Sequence, residues 1–120
     1  MIRLNCIVTL ISVALLCVLA EELYSDQYDY ININDILNND KLRERYYNCY
    51  VETGPCVTAD AKFFKVIASE AIQTNCEKCT EKQKEMLDTL SDWYTKNKPD
   101  HWQNIVQKSL EDMKKKNADQ

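Results

Sequence analysis

An all-helical domain is the fold class this 120-residue chain predicts, and three observations carry it. The chain has one glycine and two prolines, too few punctuating residues for the many turns of a β fold. Its apolar residues recur at helical spacing, in stretches of up to about 18 residues bounded by capping residues. Four cysteines fall as two close pairs, Cys49 with Cys56 and Cys76 with Cys79, at the ends of such stretches. The expectation is about five or six short helices around one core, not an up-and-down bundle of long ones.

Residues 1–20 have the pattern of a secretory signal peptide. Arg3 is the positive start, Cys6 to Leu19 is almost wholly apolar, and Val18-Leu19-Ala20 offers a cleavage site before Glu21-Glu22. The apolar run is short for a transmembrane helix, so no stable membrane insertion is expected. The domain is then 21–120, small enough to benefit from covalent staples. Cleavage removes Cys6 and Cys17 and leaves an even number of cysteines, as disulfides in a secreted protein require. The formal charge of −4 becomes −5 without Arg3, which argues against a nucleic-acid partner.

Tyr24, Tyr28 and Tyr30 lie in an acidic, non-periodic entry segment. A short helix over 34–37 turns Ile33, Ile36 and Leu37 inward, and Asn38-Asn39 breaks it. Asp40 is expected to cap a second helix reaching about Val51, with Leu42, Tyr46, Cys49 and Tyr50 near one face. Thr58 caps a third, carrying Ala61, Phe64, Ile67, Ala68, Ala71 and Ile72 at a period near 3.6. Thr80 and Gln83 form a capping box before Met86, Leu87, Leu90, Trp93 and Tyr94. Pro99 suits the first turn of a fifth helix with Trp102, Ile105, Val106, Leu110 and Met113 as its stripe. Lys114-Lys115-Lys116 and the tail are expected to be solvated and frayed.

The cysteines admit three pairings. Adjacent pairing is favoured because Gly54-Pro55 can reverse the chain inside the first pair, where a tight turn is needed. Two alternatives stay open from spacing alone: a four-thiolate zinc site, and a redox pair in Cys76-Glu-Lys-Cys79. Other chemistry is thin. His101 is the lone histidine, so a histidine-based metal site cannot be built, and its place in a first helical turn reads as surface. One glycine excludes a glycine-rich phosphate loop. No metal, cofactor or catalytic residue is expected. The unusual feature is a load of tyrosine and tryptophan on apolar faces. That suits either ordinary packing or a pocket with a few orienting donors.

These pieces together resemble the insect chemosensory proteins, the OS-D-like family. Tyr28-Asp-Tyr-Ile-Asn-Ile-Asn-Asp-Ile-Leu37 looks like that family's entry motif. Asp40-Lys-Leu-Arg, Tyr46, Asn48-Cys49, Gly54-Pro55-Cys56, Thr58-Ala59-Asp60, Cys76 through Gln83, and Asn97-Lys98-Pro99 with Trp102 match as well. The resemblance spans roughly 24–105. It implies adjacent disulfides, Cys49–Cys56 and Cys76–Cys79, and helices around an apolar channel. It also implies a secreted carrier of long-chain lipids or pheromone- and odorant-like compounds. By position it assigns Tyr46, Phe64, Leu90, Tyr94 and Trp102 to the channel. Ile33, Leu37, Leu42, Ile67 and Ile105 complete the expected ligand-binding set from the apolar faces. The central spacer is one residue longer than the family's commonest, at Val57. Ser91 and Thr95 stand where apolar residues are usual, and the usual Tyr-Asp-Pro after Trp102 is absent.

The expected function is therefore burial of a small hydrophobic ligand by a secreted, extracellular monomer. A receptor or other protein partner is compatible with it. The rival is a secreted interaction factor in development, immunity or saliva, with a filled core and an exposed apolar patch. A thiol–disulfide enzyme using Cys76 and Cys79 ranks third.

Overall fold

A computed structural model describes residues 2–8 and 15–119, with side chains from Glu22 onward. From residue 22 the chain is all-α. Five helices follow in order: α1 Ile33–Leu37, α2 Asp40–Tyr50, α3 Ala59–Gln73, α4 Glu81–Asn97 and α5 Pro99–Ala118. Before them, β1 (Ile2–Val8) and β2 (Leu15–Glu21) pair as an antiparallel hairpin with Cys6 opposite Cys17. That hairpin lies outside the all-helical expectation; its run of Ile, Leu and Val suits extended backbone as readily as helix. Among the described residues, no helix is long and apolar enough to cross a membrane.

Side-chain caps set most of the helix starts. Asn32 accepts from the Asn34 N–H at α1, and Thr58 from the Ala61 N–H at α3. At α4 the capping box is complete: Thr80 Oγ1 accepts from the Gln83 N–H at 3.1 Å, and Gln83 Oε1 accepts from the Thr80 N–H at 2.9 Å. Pro99 opens α5, where its missing N–H costs nothing. At α2 the expectation was one residue late. Asn39 is the cap, accepting from the Leu42 N–H at 3.1 Å, and Asp40 is the first helical residue, paired with Arg43 at 2.9 Å. The C-terminal lysines are exposed as expected, but they are helical rather than frayed. Helix α5 runs through the lysines to Ala118 because Lys116 reaches Glu70 at 2.7 Å, and Lys115 and Lys116 complement the helix end.

The disulfides are adjacent, Cys49–Cys56 and Cys76–Cys79. The first reversal works differently from the expectation. The left-handed residue is Glu52 (φ 65°), and Gly54 has no positive φ. What Gly54 supplies is closeness: a Cβ there would stand 3.0 Å from Asn48 Cβ, while its N–H donates to the Asn48 carbonyl at 3.1 Å. The second reversal places Asn75 and Cys76 in left-handed conformations (φ 54° and 62°) between α3 and α4.

Helix α5 packs along α3 and α4, α1 sits against α2 and α4, and α2 packs on α3. The core joins Leu37, Tyr50, Tyr94 and Ile105, one residue from each of α1, α2, α4 and α5. A second cluster joins Ala71 to Cys76 and Cys79, with Tyr24 and Leu87 against it. Two polar networks tie the ends. Glu70 accepts from Tyr24 at 2.7 Å and pairs with Lys78 and Lys116, which hold its carboxyl near pH 2. The other is a closed ring. Tyr50 donates to Ser69 (2.7 Å) and Ser69 to Asp112 (2.7 Å). Lys108 bridges Asp112 and Glu52 (2.9 and 2.8 Å), and Lys65 joins Glu52 to the Tyr50 carbonyl (both 3.1 Å). Hydrogen bonds from Lys108 and Lys65 hold the Glu52 carboxyl near 2, and burial pushes the Tyr50 phenol to about 12.

Candidate functional site

The periodic apolar faces leave space between them. Helices α1 to α5 and both disulfides border a partly open cavity of about 170 Å³. Ile33, Ile36 and Leu37 form one wall from α1, and Phe64, Ile67, Ala68 and Ile72 another from α3. Met86, Leu87, Leu90 and Tyr94 border it from α4, and Ile105 from α5. Cys49, Cys76 and Cys79 border it as well.

Helix α2 is the polar wall, presenting Arg43, Tyr46, Tyr47 and Tyr50. These positions fall on one stripe because residues three and four apart share a helix face. Tyr46 donates to the Asp60 carboxylate, and burial together with that bond raises its pKa well above the ordinary tyrosine range. Burial would raise Asp60 in turn, but hydrogen bonds from Thr58, Tyr46 and the backbone outweigh it and leave the carboxyl below its usual value. Tyr47 stacks on His101 with ring centroids 4.3 Å apart and accepts from Asn104 at 2.9 Å. His101 is thus a partly buried packing partner with an unpartnered Nδ1, not the plain surface residue its position suggested.

Eight of the ten expected residues border the cavity: Ile33, Leu37, Tyr46, Phe64, Ile67, Leu90, Tyr94 and Ile105. Leu42 and Trp102 do not. Leu42 sits about a quarter turn from the centre of the α2 stripe, so Arg43 takes the place assigned to it. Trp102 stacks on Tyr94, centroids 6.4 Å apart, and backs the wall behind that ring. Five polar residues at the cavity were outside the expected set: Arg43, Tyr47, Tyr50, Lys65 and Gln83. Arg43 was legible as the member of the stripe three residues before Tyr46 and seven before Tyr50. A charge on the apolar face hid it. Its guanidinium lies 4.5 Å from the centre of the Trp93 ring and donates to the Leu37 carbonyl at 2.8 Å. The residue is only 6% exposed. Gln83 is occupied by its capping role and by the Ser25 carbonyl at 2.9 Å.

Fold and site define a class: small helical domains, tied by two short-loop disulfides, that surround an apolar cavity. The chain belongs to the insect pheromone-binding family A10/OS-D, whose sequence profile matches residues 24–117. It is 34% identical over 102 residues to ejaculatory bulb-specific protein 3 of Drosophila melanogaster, covering 85% of this chain and 80% of that one. It is 39% identical over 87 residues to the putative odorant-binding protein A10 of the same species, covering 72% of this chain and 56% of the relative. Among solved structures, a chemosensory protein in complex with bromo-dodecanol superposes with a TM-score of 0.67 at 35% identity. That match covers 72% of this chain and 85% of the other.

Proposed function

We propose that this protein is a secreted carrier that buries a small hydrophobic molecule without covalent chemistry. The observation that carries the reading is the cavity itself: a partly open apolar space between all five helices, where a filled core would favour an interaction factor. The family and the bromo-dodecanol complex of a relative support the same reading. The pattern of residues 1–20 supports export. Cys76 and Cys79 are bonded and 6% and 4% exposed, which denies a thiol exchange reaction the access it needs.

Size refines the ligand class. An apolar cavity of about 150 Å³ accommodates benzene. At about 170 Å³ the sheltered part holds six to eight heavy atoms, and a longer ligand reaches out through the open side or moves side chains. Burying eight methylenes contributes about 6 kcal/mol gross. Lost motional freedom takes about 4 kcal/mol or more of that. Tight binding therefore calls for expansion or a polar anchor. The test is titration of lipid-stripped protein with N-phenyl-1-naphthylamine, followed by displacement with 1-octanol and 1-dodecanol. Saturable binding and displacement are expected, with dodecanol slower to equilibrate; absence of saturable binding would refute the carrier reading. N-terminal sequencing of exported protein should begin near Glu21, and an intact Met1 would refute export by cleavage.

A further inference from the structure

Most polar side chains bordering the cavity have their donors committed elsewhere: Tyr46 to Asp60, Tyr50 to Ser69, Lys65 to Glu52 and the Tyr50 carbonyl. Two are not. The Arg43 Nε–H is buried with no hydrogen-bond partner. The Tyr94 hydroxyl, on a residue only 3% exposed, makes no hydrogen bond among the described residues. A buried donor left unpaired is costly, so the Arg43 Nε–H marks a place where an acceptor is missing, and the unpaired Tyr94 hydroxyl is available to the same acceptor.

The two belong to one neighbourhood. Arg43 stands over the Trp93 ring, Tyr94 is the next residue along α4, and both border the cavity. The Arg43 charge also bears on the Tyr94 phenol, though burial dominates and pushes it up to about 12, so Tyr94 is a donor at physiological pH.

We propose that Arg43 and Tyr94 form a head-group site for a neutral oxygen acceptor, a ketone, aldehyde or ester carbonyl at the end of a short aliphatic chain. This rests on the carrier reading and names the ligand class for it. The charge around Arg43 decides against a carboxylate. Asp40 pairs with Nη1 at 2.9 Å and Glu44 lies 3.8 Å from Nη2, so the cation is already matched and no positive charge is left to offset a buried anion. An alcohol is second best: its oxygen accepts, but its own O–H enters an apolar space with few free acceptors. A carbonyl oxygen has two lone pairs for two donors and nothing left over. The chain then runs among Phe64, Ile67 and Met86, which border the same space.

The test uses four eight-carbon ligands, 2-octanone, 1-octanol, octanoate and octane, displacing N-phenyl-1-naphthylamine from lipid-stripped protein at pH 7. 2-Octanone forms an imine with Lys65 far less readily than an aldehyde would. Wild type should bind 2-octanone about tenfold more tightly than octane, the equivalent of one good hydrogen bond, and octanoate should be the weaker oxygen ligand. Tyr94→Phe, which keeps the ring, should remove most of the ketone's advantage and leave octane within about twofold. Arg43→Met should act the same way, and thermal unfolding followed by circular dichroism verifies that each variant folds. Equal ketone affinity in wild type and Tyr94→Phe, or octanoate binding more tightly than 2-octanone, would overturn the head-group site with the carrier reading intact. If the dye itself fails to bind wild type, both fall together.

Discussion

Filling the cavity should stabilise the empty protein and abolish carriage. Ala68 borders the space from the middle of α3 and packs against the Leu37, Tyr50, Tyr94 and Ile105 cluster. At about 24 cal/mol per Å³, a void of about 170 Å³ withholds at most roughly 4 kcal/mol from the apo fold, less where it opens to solvent. Ala68→Leu adds three carbons, about 2.4 kcal/mol of transfer energy, against about 1 kcal/mol or more of overpacking strain. The expected result is a gain of up to about 1.5 kcal/mol for lipid-stripped protein in urea unfolding, with an unchanged m value. Affinity for 1-octanol should fall at least about tenfold, because the ligand loses roughly half its contacts. Val66→Leu is the control: Val66 lies two residues away on the same helix but is 79% exposed, so neither quantity should move. A loss of stability in Ala68→Leu together with unaltered octanol binding would show that the space is not where the ligand goes.

Three further predictions follow from the packing. Ser69→Ala should cost about 1–3 kcal/mol, since it leaves both the buried Tyr50 hydroxyl and Asp112 short of a partner; a neutral result in urea unfolding would mean water replaces the serine. Glu70 has its folded pKa depressed from 4.5 to about 2, chiefly by the hydrogen bond from Lys116. Its contribution is present above about pH 4.5 and is lost as pH falls toward 2, so Glu70→Gln should flatten the acid limb of a stability profile. An unchanged slope between those values would refute this. Trp102→Phe should lower stability by about 1 kcal/mol but leave ligand affinity within about twofold, because Tyr94 stands between it and the cavity; a tenfold loss of affinity would return Trp102 to the lining.

The helix order was legible because caps and periodicity agreed: Thr58, the Thr80–Gln83 box and Pro99 each open a helix where the apolar pattern begins. Adjacent pairing was favoured by the Gly54-Pro55 turn and implied by the family resemblance, although Glu52 supplies the left-handed residue there. What was not legible depended on partners far along the chain. Nothing near Lys116 says that it meets Glu70, so the tail read as frayed. The position of Glu52 in the left-handed region follows from how α2 closes, and the neighbouring glycine drew the turn to itself. At the cavity, the bordering apolar residues share helical periods, but Arg43 and Leu42 are adjacent in sequence and periodicity prefers the apolar one. Only packing shows that Trp93 and the Leu37 carbonyl accept the charge, which frees Leu42 to sit aside.

Both disulfides close loops within a single chain reversal, spanning sequence separations of 7 and 3. Neither links helices distant in sequence. In covalent terms the domain is a string with two small knots, and its long-range arrangement has no covalent guarantor. Longer closures would constrain the unfolded chain more, but they would also pin one wall of the container to another. Here the bonds secure the turns at α2 and between α3 and α4, while the spacing of the helices themselves rests on side-chain packing and on the ring from Tyr50 to Lys65. Such a vessel can swell around an oversized guest and close again without any bond being broken. Oxidation state should therefore govern how well the ends of the helices hold, and the size of the guest should be governed by the soft contacts between them.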